Sequence, residues 1–295
     1  MAITGSGTQA DPWIAQTYTD LSTIFSDKIR LGYGNYVKLG NDINCNDYGS
    51  SFEWETLSST YNTRWFDFDL DGHTIKNIKV ATNNYMFTTG GGSRCDIRNG
   101  KILNLFLSES YGLASCSGEL YFSDLSISTN VTGAKSYLTN RAFFENCALY
   151  AEGSMQNMLC MNYNEQLPLF KNCDIKLAID NLNEKRIFGK DTNFGGVSIG
   201  LENCRIRGYV KGVTASNCVV GMCSMTNSVC DLDMLQTTHS GIISAFGAGG
   251  TGVCNSDVLA DGIAAGGNIT NVTSQEIING DALRAKGFTV VNVTG

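Results

Sequence analysis

The sequence predicts an all-β chain wound as a solenoid of stacked strands, with short N- and C-terminal helical caps. Three observations predict it. First, an apolar residue, any residue, then Asn, then an apolar residue three positions on recurs down the chain. Ile75 leads to Asn77 and Val80, Ile97 to Asn99 and Ile102, Phe144 to Asn146 and Leu149, and Leu169-Phe170-Lys171-Asn172 to Ile175. Leu201 leads to Asn203 and Ile206, Met225 to Asn227 and Cys230, and Val253 to Asn255 and Val258. Phe122, Asp124 and Ile127 fit with Asp in the Asn place. The steps are 22, 25, 22, 26, 31, 24 and 28 residues, by subtraction of these positions. A period of about 20 to 50 residues marks a solenoid, propeller or array. Second, 33 Gly against 2 Pro suit many turns between stacked strands, because Pro cannot donate to a ladder. Third, apolar and polar residues alternate over short runs such as Trp65–Leu70, the period of a half-buried strand.

Composition narrows the function. The chain has a formal net charge of −7 and no basic run. A phosphate backbone needs clustered Lys and Arg, so nucleic acid is not an expected partner. No apolar stretch reaches the length of a membrane-spanning helix, so no membrane partner is expected. The first residues lack the basic start and apolar run of a signal peptide, and none is expected. Cys147, Cys173 and Cys204 each follow a repeat Asn, which assigns them as small buried residues of a rung. The 11 cysteines are expected to be reduced. No CxxC pair or Cys/His cluster points to zinc, and no metal or cofactor is expected.

Taken in order, residues 1–40 read as an N-terminal cap. Gly5-Ser6-Gly7-Thr8 to Trp13 is turn-rich. Thr19 or Asp20 is positioned to cap a short helix with Leu21, Ile24, Phe25 and Ile29 on one face. That helix would cover the open end of the solenoid, whose first strand otherwise presents unpaired backbone groups. Tyr36–Leu39 reads as a strand. Residues 46–65 read as an inserted loop carrying Tyr48, Trp54, Tyr61 and Trp65. In Phe66 to Asp71, Phe66, Phe68 and Leu70 face one side and Asp67, Asp69 and Asp71 the other.

The segments GSGTQADPWIAQ, YVKLGNDIN and DFDLDGHTIKNI resemble the start of right-handed parallel β-helix proteins of the GLUG-repeat type. Tyr85–Phe87 through Asp96-Ile97-Arg98-Asn99-Gly100 and Leu103–Leu105 is similar to the repeat itself. Val272–Glu276 to Lys286-Gly287-Phe288 resembles their helical tail. The resemblance covers 5–105 and 270–290. It implies a β-helix of the kind found in bacteriophage virion proteins and bacterial adhesins, within a wider fold that includes pectate-lyase-like enzymes.

From 41 to 271 rung follows rung. The apolar residues flanking each Asn are expected to stack inward, each full burial being worth about 1.5–3 kcal/mol. The Asn is expected in a tight bend, its amide reaching the Asn of the next rung. Asn77, Asn99, Asn146, Asn172, Asn203, Asn227 and Asn255 are the expected ladder. Gly-rich stretches at 189–200, 247–252 and 262–267 read as turns or as close subunit contacts. In the C-terminal cap, 272–295, Thr273 and Glu276 form a capping-box pattern before Ile277, Ile278 and Leu283, and Gly287 stops the helix.

Candidate chemistry is sparse. Asp67, Asp69 and Asp71 fit a calcium site, a glycosidase pair about 6.5–7 Å apart, or a solvated strand face. Asp231 and Asp233 fit a lyase-type calcium site with Asp257, but no basic residue is expected beside them. His73 reads as a turn residue and His239 as an exposed one. Trp54, Tyr61 and Trp65 are candidate binding residues, because aromatic faces stack on sugars and anchor interfaces; their alternative is to cover the first rungs.

These readings combine into one expectation: a single domain over 1–295, non-enzymatic, without catalytic residue or bound metal. It is a structural or attachment protein of a bacteriophage virion, made in the host cytoplasm, and a fibre, spike or decoration subunit. Expected partners are copies of itself, a trimer among the possibilities, other virion proteins, and a cell-surface glycan. A bacterial surface adhesin is the second reading and a polysaccharide lyase or hydrolase the third.

Overall fold

A computed structural model describes residues 3–29, 32–58, 65–81, 84–89, 94–107, 112–132, 139–155, 160–161, 168–182, 188–189, 199–211, 223–235, 251–255 and 268–272. The fold is mostly β, with strands paired in parallel and stacked as a β-solenoid, and one short α-helix among the described residues. The chain divides into two compact units, Met1–Cys147 and Ala148–Gly295. The rung spacing carries no mark of this division, because it continues across it.

In the first unit, β1 (Trp13–Ala15), β2 (Tyr36–Leu39), β5 (Asp67–Asp69), β8 (Arg94–Leu107), β9 (Gly112–Val131) and β10 (Thr139–Glu145) stack in that order. Their register places Val37, Phe68, Ile97, Phe122 and Phe144 in one inward column, all buried. The Phe122 and Phe144 rings stack at 5.0 Å. After each corner a second face follows. There β3 (Ile43–Asn44) and β6 (Thr74–Lys79) lead into the later halves of β8 and β9, aligning Ile43, Ile75, Ile102 and Ile127. A third face joins β4 (Leu57–Ser58) and β7 (Tyr85–Thr89) to the start of β9. The core is thus built of like residues repeated at the rung period, each seated on its counterpart about 4.8 Å away.

The N-terminal end is covered by local chemistry. Helix α1 (Tyr18–Thr23) is capped by Thr17, whose hydroxyl accepts from the Asp20 N–H, rather than by Thr19 or Asp20. Asp20 acts one step removed: its carboxylate accepts from the Gln16 N–H at 3.0 Å. A π-helical turn, Ile24–Ile29, continues α1. Leu21, Ile24, Phe25 and Ile29 are all buried, and the Phe25 ring meets Phe66 edge-on at 5.1 Å. The Gly5–Thr8 lead-in lies against the next segment. The Gly7 carbonyl accepts from the N–H groups of both Asn35 and Tyr36, and a Cβ on Gly34 would lie 2.6 Å from the Gly7 Cα. Thr4 bridges antiparallel to Ile14, giving the first strand a partner on its outer side.

In the second unit, β11 (Ala148–Met155), β14 (Asp174–Leu182), β17 (Arg205–Lys211), β18 (Cys223–Leu235), β19 (Thr251–Asn255) and β20 (Asn268–Val272) form one stack. It aligns Leu149, Ile175, Ile206, Cys230 and Cys254. A second stack aligns Phe170 of β13 (Pro168–Lys171), Leu201 of β16 (Ile199–Glu202) and Met225 of β18. Two short strands, β12 (Cys160–Met161) and β15 (Phe188–Gly189), pair beside them. The predicted C-terminal helical cap, Tyr61, His239, Asp257 and most of the Gly-rich stretches lie outside the described residues.

Candidate functional site

The acidic strand face is an ion-pair network. The register sets Lys38 opposite Asp69 on one side and Arg98 opposite it on the other. Arg98 Nε contacts Asp67 Oδ1 at 3.0 Å, and its Nη1 contacts Asp69 Oδ2 at 2.7 Å. Lys38 Nζ contacts Asp71 Oδ2 at 2.9 Å. Asp69 Oδ1 also accepts from the Asp71 N–H and the Asn99 amide. Burial pushes the Asp67 carboxyl above its ordinary range, and the hydrogen bond and charge of Arg98 pull it back. An inverting glycosidase needs a water and a sugar between its two carboxyl groups. Here one guanidinium bridges both carboxylates and occupies that gap. The same cation disfavours a second, divalent one. Period-two alternation exposed the three acids to sequence reasoning; Arg98 and Lys38 were missed because they belong to the neighbouring rungs. The rung period itself was the signal, since it sets the facing positions.

The bend residues form several rows. Asn77, Asn99, Asn146, Asn172, Asn203 and Asn227 all hold a left-handed backbone, with φ between 47° and 60°, as do Asp71, Asn104 and Asp124. Asn carries that conformation at less cost than other non-glycine residues. In the first unit Asn77 and Asn99 do not share a row. The Asn77 amide donates to Asn44 Oδ1 at 2.8 Å, and the Asn104 amide donates to Asn77 Oδ1 at 3.0 Å. Asn99 donates instead to Asp69, and Asn146 to Asp124. The reason is register: Ile75 pairs with Ile102, so Asn77 meets a second bend of the next rung rather than its first. Asn44 and Asn104 were not predicted as members. In the second unit Asn203 donates to Asn172 at 3.2 Å and Asn227 to Asn203 at 2.8 Å. Asn255 is displaced from that row. Cys254 pairs with Cys230, and a register shift separates Thr226 from Ser228, so Asn255 falls past the bend at Asn227.

The aromatic candidates separate. Trp54 is 0% exposed, its indole N–H donating to the Met86 carbonyl at 3.3 Å and its ring edge-on to Tyr18 at 4.7 Å. It is core, which corrects its place as a binding residue. In the described part of the inserted loop, Trp54 bridges parallel to Val80, and the Tyr18 N–H donates to the Tyr48 hydroxyl. Trp65 is 41% exposed and packs edge-on against Tyr36 at 5.1 Å. Further along the same face, the Arg94 guanidinium lies 4.0 Å over the Tyr121 ring, which stacks on Phe143 at 4.7 Å. Both faces of Tyr121 are therefore filled from within the chain.

In the second unit Asp231 lies opposite Arg207 and Asp233 opposite Tyr209. The expectation of no basic residue beside these acids is therefore corrected. Arg207 is committed elsewhere: its Nε and Nη2 contact the Asp174 carboxylate at 3.0 and 2.6 Å. A hydrogen bond to Glu152 pushes the Tyr150 phenol up to about 12. His73 Nδ1 lies 3.3 Å from Asp42, which also accepts from the Thr74 N–H. Cys45, Cys95, Cys147, Cys173, Cys204 and Cys230 are buried with free thiols. The Cys147, Cys173 and Cys204 thiols each donate to the carbonyl two residues back. In the second unit Ser228 takes the place after Cys204 in the next rung; its hydroxyl donates to the Leu201 carbonyl and accepts from the Cys204 N–H.

No protein-family model and no curated protein matches the chain. Among solved structures, it is similar to a crystal structure of a "putative immunoglobulin A1 protease" from Bacteroides ovatus. The identity is 14% and the TM-score 0.45, with 96% of this chain and 89% of that chain covered. No helix among the described residues is long and apolar enough to cross a membrane.

Proposed function

We propose that the chain is a non-enzymatic structural or attachment protein, a fibre, spike or decoration subunit of a bacteriophage virion. The observation that carries the non-enzymatic part is the Arg98 bridge. The strand face whose carboxylates most invite acid–base or calcium chemistry holds a guanidinium between Asp67 and Asp69. A scaffold whose bends are held by amide rows and whose strand faces are laced by ion pairs suits bearing load and presenting a surface. The virion assignment rests on the GLUG-type resemblance over 5–105 and on buried cysteines that are expected to be reduced. Copies of the chain, other virion proteins and a cell-surface glycan are the proposed partners.

The test is native mass at low micromolar concentration, with glycan turnover measured in parallel with and without calcium. A closed homo-oligomer, or a stable complex with another virion structural protein, is the expected result. Turnover of a polysaccharide, abolished in Asp69→Asn, would overturn the non-enzymatic reading. A monomer that binds cells through their surface glycans would replace the virion assignment with an adhesin.

A further inference from the structure

Cys173 and Cys204 occupy matching positions in consecutive rungs. Their following residues, Asp174 and Arg205, are register partners, and the Arg205 N–H donates to the Cys173 carbonyl at 2.9 Å. Each thiol points to the same side of its turn, donating to the carbonyl two residues back, Lys171 at 3.2 Å and Glu202 at 3.3 Å. Adjacent parallel strands set such Cα atoms about 4.8 Å apart, inside the range of about 4.4–6.8 Å that a disulfide spans. Both side chains are buried, at 3% and 0% exposure. Burial first, then the neighbouring Cys173 thiol, holds the Cys204 thiol well above its ordinary pKa.

These facts separate two situations. In the folded rungs no oxidant reaches either buried sulfur and the Cys204 thiolate is scarce, so the pair is inert. In the unstacked chain both sulfurs are accessible, and stacking then brings them together. We propose that Cys173 and Cys204 are a latent cross-rung disulfide, closed only when the chain folds in the presence of a disulfide oxidant. With glutathione disulfide as oxidant, the Cys173 thiolate attacks one glutathione sulfur and releases a glutathione thiolate. The Cys204 thiolate then attacks Cys173 Sγ of the mixed disulfide and releases the second. Two protein thiols are oxidised, one glutathione disulfide is reduced to two thiols, and the two thiol protons pass to them. Once formed, the bond is shielded from reductant by the same burial. The pair would thus record the redox state in which the protein folded.

The test refolds the full chain from urea in a glutathione redox buffer or in dithiothreitol. Remaining thiols are blocked by alkylation, and linked peptides are mapped without reduction. The far-ultraviolet spectrum verifies folding of each sample. The expected result is a Cys173–Cys204 linked peptide pair after oxidative refolding and none after reductive refolding. Folded, reduced protein given the same oxidant should form it at least about tenfold more slowly, through local opening. Cys173→Ser or Cys204→Ser should abolish the link, and Cys95→Ser should leave it. Absence of the link after oxidative refolding, pairing of either cysteine with a different one, or equally fast formation in the folded protein would each overturn the proposal.

Discussion

Asn77 is the sharpest place to test what holds a rung. Its side chain gives one hydrogen bond to Asn44 and takes one from Asn104, at 2.8 and 3.0 Å. Its backbone sits at φ 59°. Asn77→Ala removes both bonds, each worth about 0.5–1.5 kcal/mol net. It also forces a Cβ without a local polar partner into the left-handed region, at about 1–2 kcal/mol. The expected loss is about 2–5 kcal/mol. Asn77→Gly removes the same bonds but adopts the backbone freely, so it should lose about 1 kcal/mol less than Ala. That order inverts the usual one, in which Gly within regular structure is worse than Ala. The assay is urea unfolding of the full chain followed by circular dichroism, with hydrogen exchange around residues 75–79 as a local readout. Equal losses for Ala and Gly would refute the backbone part. A near-neutral Asn77→Gly would refute the amide row.

Other expectations follow from the same packing. Gly100→Ala would set a Cβ 2.4 Å from Leu70 Cβ and 2.6 Å from the His73 carbonyl oxygen, so thermal melting should reveal a loss of about 1–3 kcal/mol. Trp54→Ala should cost about 3–5 kcal/mol in urea, as a core truncation does, and should leave any glycan affinity of the folded fraction unchanged. For Arg98→Leu the sign follows from Asp67, whose raised pKa means the fold prefers its protonated form. That contribution is present below the ordinary carboxylate pKa and is lost as pH rises through the raised one. Removing Arg98 raises it further, so the variant should fall behind the parent by about 1 kcal/mol more near pH 7 than near pH 3, read from urea midpoints. An equal deficit at both pH values would contradict the bridge.

Much of this architecture is local and therefore legible in the chain. Phe66, Phe68 and Leu70 alternate with three aspartates, and a strand sends successive side chains to opposite faces. An Asn or Asp recurs where the bend needs a left-handed residue, a requirement of the backbone at that one position. The face occupied by Leu21, Ile24, Phe25 and Ile29 follows from helical period alone, although the cap itself, Thr17, lay upstream of the expected positions.

What the sequence by itself determined is the class of fold, the rung period and the residue type each bend requires. The tertiary structure decided which rung positions meet. Register put Asn77 on Asn104 instead of Asn99, moved Asn255 past the row and brought Arg98 between Asp67 and Asp69, while packing of the inserted loop turned Trp54 from a surface candidate into core. The physical reason is that a parallel solenoid pairs residues some 22 to 33 positions apart, as Asn146 with Asp124 and Asn77 with Asn44. Partners so distant are chosen by how whole turns close, and a single bulge or inserted loop shifts every partner after it.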